Sequence, residues 1–308
     1  MGRYAYFQGQ VVPVEEARVS IMTHAFNYGT GCFEGIRAYW NAEHQQLYVF
    51  RMREHYERML DSCKILRIEP QQSVEDLEAI TLEVLRRNGD REDVYIRPLF
   101  YKSEMAVGVR LHGLAHDFAL FAVPFGPYID VERPIRCRVS SWRHVTDVMI
   151  PMRAKICGSY VNAALAKSEA AEDGYDEAIF LTTDGHVSEG SAENLFIVRR
   201  GKLITTPVYE DILEGITRAT VIQLAQEVLG IEVEERPIDR TELYVADEVF
   251  LVGTGAQVSA VGEVDHRRVG RGEMGPITRR IQTLYFDTVK GRVEAFRHWL
   301  TPVYQGAR

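Results

Sequence analysis

Apolar residues recurring every second position mark candidate strands along this chain, and a spacing of three to four marks candidate helices. Residues 4–7 and 10–12 alternate on either side of a turn at Gln8-Gly9, and 47–50 makes a further short strand. Residues 54–66 carry helical spacing. A clearer helix covers 73–88, with Ser73 as its N-cap and Gly89 as its stop. The runs 94–101 and 119–124 are rich in β-formers and bounded by polar or proline signals. From 125 to 138 the pattern breaks at Gly126, Pro127 and Pro134, which makes this stretch the best candidate for an interdomain connection. Beyond it, helices are expected at 159–173, 217–229 and 276–290, the last stopped by Gly291. Strands are expected at 177–181, 194–198 and 248–252. The chain shows no internal repeat and no low-complexity tract. These elements describe a mixed α/β protein whose first third is of α+β type.

Composition narrows the class. The 308 residues suffice for one large domain or two ordinary ones. With 36 basic and 44 acidic residues the net charge is −8, which disfavours a nucleic-acid partner. The four cysteines, Cys32, Cys63, Cys137 and Cys157, form no C-x-x-C pair, and their spacing suggests reduced thiols. His112 and His116 stand four apart, but no helical stripe surrounds them and no Glu follows His112, so no metal site is expected. The N-terminus lacks an apolar signal region, Tyr6 stands where a myristoylation motif needs Ser or Thr, and no apolar run approaches a bilayer span. The expectation is a soluble cytoplasmic protein without a membrane partner.

Four segments look unlike scaffold. Arg153-Ala154-Lys155-Ile156-Cys157-Gly158-Ser159-Tyr160 sets a lysine among small residues just before a helix, with room for a planar group on its amine. A lysine that attacks a carbonyl must be neutral, so it needs desolvation or positive neighbours. Taken alone, it reads as an ordinary surface lysine. Leu213-Glu214-Gly215-Ile216-Thr217-Arg218 opens a helix, and N-terminal amides with a threonine hydroxyl can cradle phosphate. A plain helix cap reads equally well. Gly253-Thr254-Gly255-Ala256 follows a strand directly, where glycines admit a ligand close to the backbone, although a tight turn would use them too. It lacks the third glycine of a dinucleotide fingerprint. Ser188-Glu189-Gly190-Ser191-Ala192-Glu193 offers two carboxylates ahead of a strand. Glu189 could pair with a protonated pyridine nitrogen. The two could instead be a glycosidase acid and base, or solvated loop charges. Together, an amine, an anion cradle, a glycine loop and a ring-nitrogen carboxylate are what pyridoxal 5'-phosphate requires.

At this point the sequence resembles the branched-chain amino-acid aminotransferases, among the class IV, fold-type IV pyridoxal-phosphate enzymes. The resemblance runs in order through His24-Ala25-Phe26-Asn27-Tyr28-Gly29-Thr30, Phe33-Glu34-Gly35-Ile36-Arg37, Arg53-Glu54-His55 and Tyr95-Ile96-Arg97-Pro98. It continues through Ala154-Lys155, Ser188-Glu189-Gly190, Glu193-Asn194-Leu195-Phe196, Gly215-Ile216-Thr217-Arg218 and Ala246-Asp247-Glu248-Val249-Phe250. It implies a two-domain, D-amino-acid-aminotransferase-like fold. A small N-terminal α+β domain would span 1–125, an interdomain loop 126–137 and a large cofactor-binding domain 138–308. The family also implies an active site at the domain boundary, closed by a partner subunit, and so a homodimer or a multiple of one.

The resemblance further implies that Lys155 holds the cofactor as a Schiff base and shuttles the proton. Glu189 would bind the pyridine nitrogen and Tyr160 would lie near the phenolic oxygen. Arg58, Ile216, Thr217 and Thr254 would hold the phosphate, as an arginine, a hydroxyl and helix-terminal amides suit a dianion. Phe33, Tyr28, Tyr128 and Val109 match positions near the side-chain pocket, with Phe125 in the adjoining loop. Tyr95 and the Gly255-Ala256 backbone match the α-carboxylate site, and Arg97 the arginine that reads the second carboxylate of 2-oxoglutarate and glutamate. The implied reaction is ping-pong amino transfer between leucine, isoleucine or valine and 2-oxoglutarate.

Two departures bear on specificity. Ile156-Cys157-Gly158 stands where a glycine pair is common, and Gly255-Ala256-Gln257 replaces the commoner Ala-Ala-Glu turn. The second leaves room for an (R)-amine side reaction. The alternatives are an (R)-amine or D-amino-acid transaminase of the same class, an aminodeoxychorismate lyase, and a catalytically silent phosphate-ligand binding protein.

Overall fold

The computed structural model describes residues 2–126 and 129–304, which contain 17 strands and seven α-helices. In chain order come β1 (Tyr4–Phe7), β2 (Gln10–Pro13), α1 (His24–Tyr28), β3 (Gly31–Phe33), β4 (Ile36–Asn41) and β5 (Gln46–Phe50). Then follow α2 (Met52–Ile65), α3 (Val74–Asn88), β6 (Val94–Lys102), β7 (His116–Pro124), β8 (Ile135–Arg143), α4 (Tyr160–Glu172), β9 (Glu177–Leu181) and β10 (Val187–Gly190). The remainder comprises β11 (Asn194–Arg199), β12 (Lys202–Thr205), α5 (Ile216–Glu227), β13 (Val233–Glu235), α6 (Glu242–Val245) and β14 (Glu248–Gly253). Last are β15 (Gln257–Val264), β16 (Arg267–Arg268), α7 (Pro276–Val289) and β17 (Leu300–Pro302).

The chain divides into two compact units. One comprises Met1–Gly126, Ala154–Gly158 and Thr288–Arg308; the other comprises Pro127–Arg153 and Ser159–Asp287. The five residues around Lys155 and the C-terminal segment thus group with the first unit, which no single boundary in the sequence would produce.

The first unit is built on a sheet in the order β17-β5-β4-β6-β7-β1-β2, with β3 pairing β6. Its longest ladder joins β6 and β7 antiparallel from Val94↔Pro124 to Lys102↔His116. Alternation along β6 buries Val94, Ile96 and Phe100 beside Leu120 and Phe118 of β7, and α3, which buries Leu77, Val84 and Leu85, lies against β1 and β7. Helix α3 starts with a capping box, Ser73 and Asp76 bonding each other's backbone, and ends at Gly89 in the left-handed conformation.

The second unit holds a mixed sheet in the order β10-β9-β8-β15-β14-β11-β12-β13, with β16 on β15. Its central strand β8 runs parallel to both neighbours, β9 and β15. The expected connection at 126–137 is therefore shorter than the sequence pattern predicts, because Ile135 already begins β8. Ile135, Cys137 and Val139 point into the core while Arg136 and Arg138 alternate with them. Gly126, Pro127 and Pro134 ahead of it extended the linker reading over this half-buried, alternating strand. No helix among the described residues is long and apolar enough to cross a membrane.

Candidate active site

In the first unit, Lys155 lies on an extended link rather than in a helix. Ile156 bridges Cys32 of β3, the Phe33 N–H donates to the Lys155 carbonyl at 3.0 Å, and the Lys155 N–H donates to Ser62 Oγ of α2 at 3.2 Å. Its backbone is thus pinned from a strand and from a helix. The side chain extends over the Phe33 ring, with Nζ 5.2 Å from the centroid. The small residues after Lys155 serve packing: a Cβ on left-handed Gly29 would sit 2.8 Å from the Gly158 Cα, and Gly158 N–H donates to Gly29 O at 3.2 Å.

Arg97 Cζ stands 4.2 Å from the same Phe33 centroid, and its Nη2 donates to Tyr95 Oη at 2.8 Å. The Tyr95 ring packs on Phe125 at 5.1 Å, and Phe125 in turn lies under the Arg37 guanidinium. Gly35 is required here, since a Cβ would fall 2.5 Å from Tyr95 Oη. The structure therefore brings Lys155, Phe33, Arg97, Tyr95 and Phe125 together. Tyr28 is held by a different bond, its Oη accepting from Gly108 N–H at 3.0 Å, and Val109 is 80 % exposed. Tyr128 lies outside the described residues.

Arg58 exposes a residue that sequence reasoning passed over. Its Nε and Nη2 donate to Glu34 Oε1 and Oε2 at 2.7 and 2.8 Å, and His55 Nδ1 lies 2.7 Å from Oε2. Burial pushes the Glu34 carboxyl up, but Arg58 and His55 outweigh it and hold the group well below the usual carboxylate range. Burial lowers His55 in turn, so a neutral ring donating from Nδ1 is favoured. Glu34 orients both ring and guanidinium from beneath. The available signal was an acid in Phe33-Glu34-Gly35 facing His55 and Arg58, one helical turn apart.

In the second unit, three segments converge. Glu189 is the penultimate residue of β10 and is 6 % exposed; its Oε2 accepts from Asn194 Nδ2 at 2.7 Å, and Leu213 N–H reaches the carboxylate at 3.3–3.4 Å. His144 Nε2 lies 3.8 Å from Oε1. Helix α5 begins at Gly215 with no side-chain cap, so its first amides keep the donor surplus of an open helix end. A cap cannot be added there, because a Cβ on Gly215 would fall 1.9 Å from Asn194 Oδ1. Ile216 and Thr217 head this helix and are buried. Thr254, Gly255 and Ala256 form the turn between β14 and β15, closed by Gln257 at φ 58°. That turn springs from Gly253, whose Cβ position is 3.3 Å from Ala192 O in the loop after Glu189. Glu189 is thus linked to the α5 start through Asn194 and Leu213, and the strand end that carries the glycine turn lies against the Ala192–Glu193 loop between Glu189 and Asn194. Tyr160 heads α4 in the same unit and is partly exposed. A carboxylate, a hydroxyl and an uncapped helix start suit the ring nitrogen and phosphate of pyridoxal 5'-phosphate.

The fold and these groups define a class of protein, and comparison with known families agrees: the family model for amino-transferase class IV matches residues 31–264, so the chain belongs to that family. Within it, the chain is 52 % identical over 301 residues to a probable branched-chain-amino-acid aminotransferase of Aquifex aeolicus, covering 98 % of this chain and 97 % of that protein. The branched-chain aminotransferase of the archaeon Thermoproteus uzoniensis, solved with norvaline, superposes with a TM-score of 0.95 at 47 % identity, over 99 % of this chain and 100 % of that one. The branched-chain amino acid aminotransferase from T.th., complexed with N-(5'-phosphopyridoxyl)-L-glutamate, gives a TM-score of 0.93 at 41 % identity, over 98 % of this chain and 99 % of the other.

Proposed function

We propose that this protein is a branched-chain amino-acid transaminase, passing the amino group between leucine, isoleucine or valine and 2-oxoglutarate in two half-reactions. Pyridoxal 5'-phosphate, once bound, supplies the electron sink that lets the substrate Cα proton leave. Lys155 holds it covalently and, once its amine is released, moves the proton at the substrate Cα. Glu189 holds the ring nitrogen, Arg58, Ile216, Thr217 and Thr254 the phosphate, and Tyr160 stands by the phenolic oxygen. Tyr95 and the Gly255-Ala256 backbone take the α-carboxylate; Phe33, Tyr28, Val109 and Tyr128 bound the side-chain pocket.

One observation carries the reading. Lys155 and Arg97 address the same Phe33 ring, at 5.2 and 4.2 Å, so a guanidinium able to bind a second carboxylate stands beside the reacting amine and an apolar surface. A site that takes leucine and glutamate in turn needs that combination. The relatives' norvaline and phosphopyridoxyl-glutamate complexes are of matching chemistry.

The test is a half-reaction spectrum of holoenzyme mixed with L-leucine, D-alanine or (R)-1-phenylethylamine. Fast loss of the cofactor's absorbance band with leucine is expected. Conversion by D-alanine or the amine, with none by leucine, would sink the assignment. A slow (R)-amine reaction is compatible with it, since neutral Gln257 closes the carboxylate turn.

The chain works in the cytoplasm as a homodimer or a multiple of one. Supporting this, Ile21, Phe26, Met105, Val107 and Val109 of the first unit are 61–95 % exposed, apolar side chains of the kind a second copy would cover. Sedimentation equilibrium should give at least twice the 35.1 kDa chain mass; a monomer would contradict it.

A further inference from the structure

Asn194 opens β11 and is 5 % exposed. Its single Nδ2 donates twice, to Glu189 Oε2 at 2.7 Å and to the Leu213 carbonyl at 2.9 Å. The Leu213 N–H returns to the Glu189 carboxylate at 3.3–3.4 Å, which closes a ring of three residues. With two acceptors around one nitrogen, chemistry fixes which end of the amide is which. The other end, Oδ1, faces Gly215, where a Cβ would fall 1.9 Å away. One side chain therefore touches both the carboxylate and the residue from which α5 starts.

Asparagine is the residue this arrangement needs. Aspartate has nearly the same shape but would set acceptors against a carboxylate and a carbonyl. Serine could reach with one donor at most, and an apolar side chain with none. The groups that donate to Glu189 are neutral, the Asn194 amide and the Leu213 N–H, and His144, 3.8 Å away with its ring pushed down to about 4 by burial, adds no positive charge. They orient the carboxylate without cancelling its charge.

We propose that Asn194 is a positioning residue that locks the Glu189 carboxylate to the start of α5, so that the ring-nitrogen and phosphate contacts of pyridoxal 5'-phosphate are held at one separation. This rests on the reading of Glu189 as the ring-nitrogen partner. A rigid separation favours a cofactor whose two anchor points are themselves fixed in a planar ring, because nothing has to be reordered on binding.

The experiment uses four variants: Asn194→Asp, Asn194→Ser, Gly215→Ala and Glu189→Gln. For each, cofactor affinity is measured by titrating pyridoxal 5'-phosphate back into dialysed protein. The holoenzyme's absorbance is followed against pH, and thermal unfolding is recorded alongside. Asn194→Asp should weaken cofactor binding about tenfold or more, as loss of a hydrogen bond to a buried charge implies, and should displace the pH midpoint of the absorbance change. Asn194→Ser should fall between it and the parent. Gly215→Ala, which keeps Asn194 but drives a methyl into its Oδ1, should shift both readouts in the same direction. If Glu189→Gln alters affinity and midpoint while Asn194→Asp leaves both at parental values, the positioning role is wrong. If Glu189→Gln itself changes neither, the underlying reading of Glu189 fails instead. A lowered unfolding temperature with unaltered spectrum and affinity also overturns the proposal. Should Asn194→Asp not fold, Asn194→Ser and Gly215→Ala decide by the same criteria.

Discussion

In the proposed function, Arg97 is the one side chain that would serve two substrates. Its guanidinium rests on the Phe33 ring and donates to Tyr95 Oη, so it is already ordered before a carboxylate arrives. On that proposal, a substrate with an apolar side chain would leave the arrangement intact, whereas 2-oxoglutarate would gain a charge-assisted bond. Arg97→Ala should therefore lower kcat/KM for 2-oxoglutarate and glutamate by roughly ten- to a hundredfold, in line with about 1.5–3 kcal/mol for such a bond, and spare leucine. Steady-state kinetics with each substrate decides it; equal losses for all would contradict the role. At this scale the sequence displays its candidates in motifs, as at Lys155, Glu189 and Arg97, and the roles proposed for them start from those motifs. It was less legible where a residue acts through another. Glu34 and Asn194 touch Arg58 and Glu189 only after strands and helix have been brought together, and no local spacing announces that.

At the scale of elements, legibility followed the strength of periodic and capping signals. Helix α3 was expected at 73–88 and spans Val74–Asn88, because Ser73, Asp76 and Gly89 write its ends into the chain. Helices α4, α5 and α7 likewise fell within two residues of expectation. Strands β3 and β4 were passed over: both are buried almost throughout, so no alternation marks them. Strand β8 was hidden differently, by the break at Gly126, Pro127 and Pro134 just before it, although Arg136 and Arg138 alternate with Ile135, Cys137 and Val139 as a half-buried strand requires. Helix α1 has only five residues, and its left-handed Gly29 is explained by a close approach to Gly158, a contact 129 positions along the chain. Such reasons are tertiary and cannot be read locally.

The whole molecule carries two buried carboxyls of opposite sign with respect to pH. Glu34 in the first unit is held below its ordinary value, so its contribution is present above about pH 4.5 and fades as pH falls through lower values. Glu193 in the second is raised to about 8 by burial and by the nearby Glu177 carboxylate. Its contribution is full below the ordinary value of 4.5 and is lost as pH climbs towards 8. Glu193→Gln should therefore flatten the decline in stability between pH 5 and 8, by up to about 1.4 kcal/mol per pH unit at steepest. Glu34→Gln should flatten only the acid limb. Denaturant unfolding across pH 3–9 checks both, and an unchanged slope over pH 5–8 in Glu193→Gln would refute the first.

The division of the chain also governs its birth on the ribosome. The first 126 residues emerge without two of their own parts, the segment Ala154–Gly158 that pairs with β3 and the closing strand β17 that pairs with β5. At ordinary translation speeds the second of these arrives on the order of ten seconds or more later. Until then β5 presents an open edge to other nascent chains. Lys155, the lysine proposed to hold the cofactor, is thus among the pieces delivered late, and no gene cut at residue 126 can yield a first half that possesses it.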